Sequence, residues 1–115
     1  MKVEILYFKG CPNREPLAEL LRRALCFDGM DMPVCEVEVT DSEMAQKLGF
    51  LGSPSIRIDD LDIEPEAREL QTFGLGCRTY TDAEGRRSGL PSIVMIRQAL
   101  IEASSNDSAG SGRSA

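Results

Sequence analysis

Residues 3–25 read VEILYFKGCPNREPLAELLRRAL, and the hydrophobic period changes in the middle of this stretch. The apolar run over 3–8 is typical of a buried strand. A Lys-Gly pair ends it, and Cys11-Pro12 follows, with proline suited to the first turn of a helix. Beyond the proline, leucine and alanine recur at the three- and four-residue spacing of an amphipathic helix. The stretch therefore predicts a strand, a short junction and a helix, with Cys11 at the helix N-cap.

The next elements follow the same alternation of strand and helix. Apolar and polar residues alternate over 34–39, which predicts a second strand. Thr40 and Glu43 have the spacing of a capping box for a short helix, which Gly49 would end. A Gly-Ser-Pro sequence then leads into a third strand over 55–58.

The second half of the chain predicts one more strand and one more helix. Residues 60–76 are irregular and acidic at first, and we interpret them as an inserted loop. Residues 77–81 are the predicted fourth strand, antiparallel to the third, and Pro91 opens the last helix. The predicted fold is an α/β domain over 1–103 with the order β-α-β-α-β-β-α. It has a mixed four-stranded sheet flanked by helices, because the first β-α-β unit should be a parallel right-handed crossover. Residues 104–115, rich in Ser, Gly and Ala, predict a disordered tail.

Composition excludes several classes of function. The length of 115 residues fits one domain, and the net charge of −6 disfavours nucleic acid and anionic membranes as partners. The sequence has no histidine, which excludes Ser-His-Asp hydrolases and His-containing metal sites. We recognise no signal peptide and no apolar run of about 20 residues, so we expect a cytoplasmic protein with reduced thiols.

Cys11 is the candidate reactive residue. At a helix N-cap, free amides and the positive end of the helix dipole would favour its thiolate form. The alternative is a buried structural cysteine. Arg14, one helical turn further on, would either hold the thiolate or orient an anionic substrate such as glutathione. The alternative for Arg14 is a solvated side chain.

The motif YFKGCPNR at residues 7–14, together with GSPS at residues 52–55, resembles a family of small bacterial thioredoxin-like proteins. Some members carry selenocysteine at the position of Cys11, and some have been labelled as related to alkylmercury lyase. The resemblance covers residues 1 to about 103 and implies the thioredoxin fold. It further implies that Pro54 is cis and faces Cys11, and that Ser53 offers backbone groups to a bound peptide or thiol. Pro12 is expected to bind substrate together with Ser53 and Pro54. The alternative for Ser53-Pro54 is an ordinary turn.

The chain departs from the thioredoxin pattern at the second active-site cysteine, which Arg14 replaces. Cys77 is then the candidate resolving thiol. In the predicted sheet it would lie ~13 Å from the strand end nearest Pro54 at ~3.3 Å per residue, whereas a disulfide needs Cα atoms within about 7 Å. Direct bonding therefore requires another register or a folded-back loop, and the alternative is a small buried residue. Cys26 and Cys35 are predicted to pack in the core.

Three functions remain open at this point. The first is a thiol oxidoreductase of monothiol type, in which Cys11 forms a mixed disulfide with a protein or small thiol substrate and an external thiol such as glutathione releases it. The second is a soft-metal or organomercurial thiolate-binding protein, with Cys77 as a second ligand. The third is a non-catalytic adaptor. The sequence has no Cys-x-x-Cys pair that would support a structural metal site. We expect no resident cofactor. We also expect a monomer or a weak dimer.

Overall fold

A four-stranded sheet forms the centre of the computed structural model, which describes residues 1–114 and the side chains of residues 1–105. The strands are β1 (Val3–Tyr7), β2 (Val34–Glu38), β3 (Ser55–Ile58) and β4 (Leu61–Asp62), in the spatial order β2-β1-β3-β4. β1 pairs parallel with β2 and antiparallel with β3, and β3 pairs antiparallel with β4. The prediction of a mixed four-stranded sheet is confirmed.

Helices cover both faces of this sheet. The helices are α1 (Arg14–Phe27), α2 (Ser42–Leu48) and α3 (Ile93–Ser114). Ile5 packs in one buried cluster with residues of α1 and α3, whereas Leu6 packs in a second cluster with Ala45 of α2 and Phe50. Neighbouring residues of a strand point to opposite faces, so β1 contributes to both clusters. Complete burial of one such aliphatic side chain is worth about 1.5–3 kcal/mol.

The fourth strand of the sheet differs from the predicted one. β4 follows β3 directly, through a tight turn at Asp59 and Asp60, whose φ angles are 52° and 68°. The predicted strand over 77–81 was wrong: its last two residues form β5 (Tyr80–Thr81), which pairs with β6 (Arg87–Ser88) in a separate hairpin. Two-residue hairpin turns need left-handed backbone, which aspartate tolerates better than most residues. The predicted insertion over 60–76 therefore begins as part of the sheet.

The helix starts also differ by one or two residues from their predictions. The N-cap of α1 is Asn13 and not Cys11. The N-cap of α2 is Asp41, whose carboxylate accepts a hydrogen bond of 2.8 Å from the Met44 amide, in place of the predicted Thr40. The end of α2 at Gly49, which has left-handed backbone, is confirmed.

The described part of α3 buries one face, formed by Ile96, Ala99, Leu100 and Ala103. The predicted disordered tail over 104–115 falls mainly on residues 106–115, which lie outside the described side chains, and it stays a prediction. None of the helices in the described part of the chain has the length and apolarity that crossing a bilayer requires.

Candidate functional site

Cys11 lies in the turn that joins β1 to α1. Its amide donates to the Phe8 carbonyl at 3.3 Å, and its carbonyl accepts from the Arg14 amide at 3.4 Å. These two hydrogen bonds form a separate turn before the helix begins. Cys11 therefore lies in that turn, two residues before the N-cap Asn13. The residue is partly exposed, so the alternative of a sealed structural cysteine was wrong. Pro12, the next residue, is exposed.

Arg14 is the first residue of α1 and is not a free surface side chain. Its Nε donates to Glu36 Oε1 of β2 at 3.0 Å, and its guanidinium lies 4.2 Å from the centre of the Tyr7 ring. The hydrogen bond to Glu36 raises the pKa of Arg14. The side chain is 38% exposed, so it is both solvated and paired, and these contacts hold it across the ends of β1 and β2.

Ser53 and Pro54 form the turn that leads into β3, and the peptide bond between them is cis, as the resemblance implied. Ser53 Oγ accepts a hydrogen bond of 3.2 Å from the Phe8 amide. Phe8 in turn accepts from the Cys11 amide through its carbonyl. The prolyl turn and the cysteine turn are thus bonded to the same residue at the end of β1. Both Ser53 and Pro54 are buried.

Residues 76–78, here called the bridging segment, run beside the prolyl turn. The Ser53 amide donates to the Gly76 carbonyl at 2.9 Å, and the Arg78 amide donates to the Ser53 carbonyl at 3.0 Å. Cys77 forms an isolated parallel bridge with Ser53. The backbone groups that Ser53 was expected to offer a substrate are therefore already bonded within the chain.

The position of Cys77 corrects two predictions. It lies directly beside Ser53, at the spacing of neighbouring strands, which is about 4.8 Å. The expected separation of ~13 Å from the prolyl turn at ~3.3 Å per residue was wrong, because it assumed that residues 77–81 pair with β3. Cys77 is also exposed and not a buried apolar residue.

Gly52 allows the bridging segment to approach this closely. Its φ is 128°, a backbone conformation that residues with a side chain rarely adopt. A Cβ atom on Gly52 would lie 3.0 Å from both the Arg78 Cβ and the Gly76 carbonyl oxygen. Any larger residue at this position would therefore push the segment away from the prolyl turn.

A buried ionic cluster holds the far side of the bridging segment. The Arg78 side chain donates to the two carboxylate oxygens of Asp62 at 2.6 and 2.7 Å, to Ser55 Oγ at 3.0 Å and to Glu64 at 3.4 Å. Its guanidinium lies 4.3 Å from the centre of the Tyr80 ring. These five residues are here called the Arg78 cluster. Bidentate, hydrogen-bonded geometry of this kind offsets the cost of burying the charges.

The pKa values of two residues in the Arg78 cluster are shifted by burial and by their neighbours. Burial opposes the charged form of Arg78, but the hydrogen bonds to Asp62 and the neighbouring negative charges raise its pKa overall. Burial also raises the pKa of Tyr80, whose hydroxyl donates to the Pro54 carbonyl at 2.6 Å. The cluster is thus bonded to the prolyl turn through Tyr80 as well as through the backbone of Arg78.

Sequence reasoning missed the Arg78 cluster. The acidic run around Asp62 and Glu64 belongs to the predicted inserted loop, yet Asp62 is buried. One signal was available: a single arginine, Arg78, stands between the cysteine and the aromatic residue of a short strand-like run. That pattern does not identify its carboxylate partner, 16 residues earlier.

The other two cysteines do not pack in the core as predicted, since Cys26 and Cys35 are both exposed. Cys26 lies beside the buried stripe of α1, and Cys35 lies on β2, which is an edge strand. Cys26 lines a cavity of about 590 Å³ between α1 and β2, together with apolar residues such as Leu25, Met30 and Met32. Cys11 does not line this cavity, which is therefore separate from the cysteine turn.

Within the described residues, no group of three or more acidic or cysteine side chains is arranged to hold a metal ion. Comparison with known proteins finds no matching family model, no matching curated protein and no matching solved structure. The fold and the site define the class as a mixed α/β domain with a four-stranded sheet. Its distinguishing feature is a partly exposed cysteine beside a prolyl turn.

Proposed function

We propose that this chain is a thioredoxin-like thiol oxidoreductase that acts by mixed-disulfide exchange through Cys11. The observation that carries the proposal is the shared bonding of the two turns: Phe8 binds the Cys11 amide through its carbonyl and Ser53 Oγ through its amide. This juxtaposition of a partly exposed cysteine with a prolyl turn is the one that the thioredoxin-like resemblance implies. It supports a nucleophilic role because substrate can reach the cysteine from solvent.

The proposed reaction is an exchange between one thiolate and one disulfide. The Cys11 thiolate attacks a sulfur of the substrate RS–SR′, a bond forms between Cys11 and RS, and R′S⁻ leaves and takes up a proton. A thiolate GS⁻ of a small thiol such as glutathione then attacks the substrate sulfur of the mixed disulfide. The RS–SG bond forms, the bond to Cys11 breaks, and Cys11 leaves as its thiolate. In this proposal the reaction needs no resident cofactor, and the reducing cytoplasm supplies the thiol.

Arg14 is proposed to orient the anionic end of the substrate. Its Nε is bonded to Glu36, and the Tyr7 ring supports the guanidinium plane. The two Nη groups of a guanidinium can bind a carboxylate in bidentate geometry. Pro12, exposed beside Cys11, is the proposed contact for the body of the substrate. Ser53 and Pro54, being buried, would hold the site in shape.

Mass spectrometry of the protein treated with glutathione disulfide tests the proposal. With Cys77 replaced by serine, so that no second thiol beside the prolyl turn can displace the adduct, we expect a glutathione adduct on Cys11, found by peptide mapping. The adduct should disappear when Cys11 is also replaced by serine and persist when Cys26 is replaced instead. Cys26 is the matched control because it is more exposed than Cys11, so that accessibility alone would favour it. Equal or faster modification of Cys26 would contradict a special reactivity of Cys11.

A further inference from the structure

We infer that Cys77 resolves the mixed disulfide on Cys11 within the same chain, an inference that rests on the proposed function. The cysteine turn lacks a second cysteine, and Cys77 of the bridging segment would take its role. Cys77 is exposed and lies directly beside Ser53. It therefore stands at the edge of the prolyl turn where a substrate backbone was expected to bind.

Hydrogen bonds connect the two cysteines through two residues. The Cys11 amide is bonded to Phe8, the Phe8 amide is bonded to Ser53, and Ser53 is bridged to Cys77. Each of these three steps, of which the second runs through the Ser53 hydroxyl, spans about 5 Å between Cα atoms. Three such steps allow the two Cα atoms to lie as far as about 15 Å apart, whereas a disulfide requires them within about 7 Å, so the bridging segment must move toward Cys11 for the bond to form.

In this closure the bridging segment is the part that moves. The glycines at 74 and 76 precede Cys77, and a Cβ atom on either would meet nothing within 4 Å. Open space and glycine backbone allow this side of the segment to move once two hydrogen bonds open, from the Ser53 amide to the Gly76 carbonyl at 2.9 Å and from the Gly74 amide to the Phe50 carbonyl at 3.0 Å. After Cys77, Arg78 is fixed in its cluster. The movement is therefore limited to Cys77 and the residues just before it.

The orientation of Cys77 also fits this role. Adjacent side chains of an extended segment point to opposite sides. Because the Arg78 side chain points into the buried cluster, Cys77 points toward solvent. A mixed disulfide on the partly exposed Cys11 would also be open to solvent. Holding the attacking thiol in place raises its effective concentration above that of a free thiol.

The resolving step is balanced without a further oxidant. The Cys77 thiolate attacks the Cys11 sulfur of the mixed disulfide, the Cys11–Cys77 bond forms, and RS⁻ leaves and takes up a proton. The chain is then oxidised by two electrons, and the original substrate disulfide has become two thiols. Two molecules of a small thiol, acting in sequence, reduce the Cys11–Cys77 bond and leave as their own disulfide.

Single-turnover reaction with an aromatic disulfide, dithiobis(nitrobenzoate), tests the inference. The protein is used in a Cys26→Ser/Cys35→Ser background, which leaves Cys11 and Cys77 as its only thiols. One coloured thiol is released when Cys11 reacts and a second when Cys77 displaces the bound half. We expect the second release to be independent of protein concentration. It should slow at least about tenfold in Cys77→Ser, given the effective concentration of a tethered thiol.

The outcomes separate the inference from the proposed function. A peptide linked through Cys11 and Cys77 would support the inference. A stable adduct on Cys11 in the protein that retains Cys77, or a second release that rises with protein concentration, would overturn it and leave the proposed function intact. Absence of any adduct on Cys11 in Cys77→Ser would overturn both. Cys77 is exposed, so its replacement by serine should leave the fold unchanged.

Discussion

Removing the Asp62 carboxylate should destabilise the fold more than any change at an exposed ion pair. Asp62 supplies two short hydrogen bonds to Arg78, and the two side chains are only 8% and 5% exposed. Asp62→Ala would leave the guanidinium buried, with Glu64 at 3.4 Å and Ser55 at 3.0 Å as its remaining partners.

The size of the effect follows from what remains around the guanidinium. Breaking a buried ion pair by removing one partner costs about 3–5 kcal/mol. Because Glu64 still offers a carboxylate, we expect the lower end of this range, about 3 kcal/mol. That is a large share of the roughly 5–15 kcal/mol that stabilises an ordinary domain. For a chain of this length it corresponds to a fall in Tm of about 12 °C.

Equilibrium unfolding in urea, followed by circular dichroism, measures this loss. The matched control is Glu102→Ala, because Glu102 also forms a bidentate pair, with Arg68, but is 43% exposed. The control should cost less than about 1 kcal/mol. In the double variant Asp62→Ala/Arg78→Met the stranded charge is gone, so stability should partly return. Equal losses for Asp62→Ala and the control, or a further loss in the double variant, would refute the reasoning.

Two further predictions concern the residues that surround the prolyl turn. Gly52→Ala should lower the free energy of unfolding by about 1–3 kcal/mol more than Gly85→Ala. Both glycines have positive φ, but a Cβ at position 85 meets nothing within 4 Å. Equal losses in urea titrations would show that the contact between Gly52 and the bridging segment is unimportant. Burial raises the pKa of Tyr80, so the folded state keeps the phenol protonated after the unfolded chain has begun to ionise. Stability should therefore fall as pH rises above about 10, and Tyr80→Phe should remove this component of the decline. An unchanged alkaline decline in Tyr80→Phe, measured by urea titrations at pH 8 to 11, would rule out this assignment.

The sequence predicts the elements whose hydrophobic period is long enough to be distinctive. Leu17, Leu21 and Ala24 form the buried stripe of α1, and their spacing alone indicates a helix with one apolar face. The β1 run and the alternation in β2 likewise predict strands in the right places. The mixed sheet with helices on both faces follows from the order of these elements.

Short elements could not be predicted in the same way. β4 has two residues, which show no period. Its position depends on the turn at Asp59 and Asp60, and an Asp-Asp pair is a weaker hairpin signal than Asp-Gly. Without β4, the next strand-like run, over 77–81, was placed in the sheet instead.

The residues of the site that belong to local sequence motifs were predicted. The contacts between residues that are distant in the sequence were missed. Cys11 and the Ser53–Pro54 turn were identified from local motifs. The exposure of Cys77 depends on Arg78 pointing inward, and that depends on Asp62, which is distant in the sequence. Cysteine is among the most frequently buried residues, but composition does not say which faces remain uncovered.

The two outer strands of the sheet also bear on how the molecule behaves at high concentration. An uncovered strand can accept a strand from another molecule and start fibrous association. Here one border is the two-residue β4, too short to serve as a template, and the other is β2, which carries Glu36 and Glu38. Two copies meeting through β2 would bring these like charges together. Both borders of the sheet thus disfavour growth from one molecule into the next.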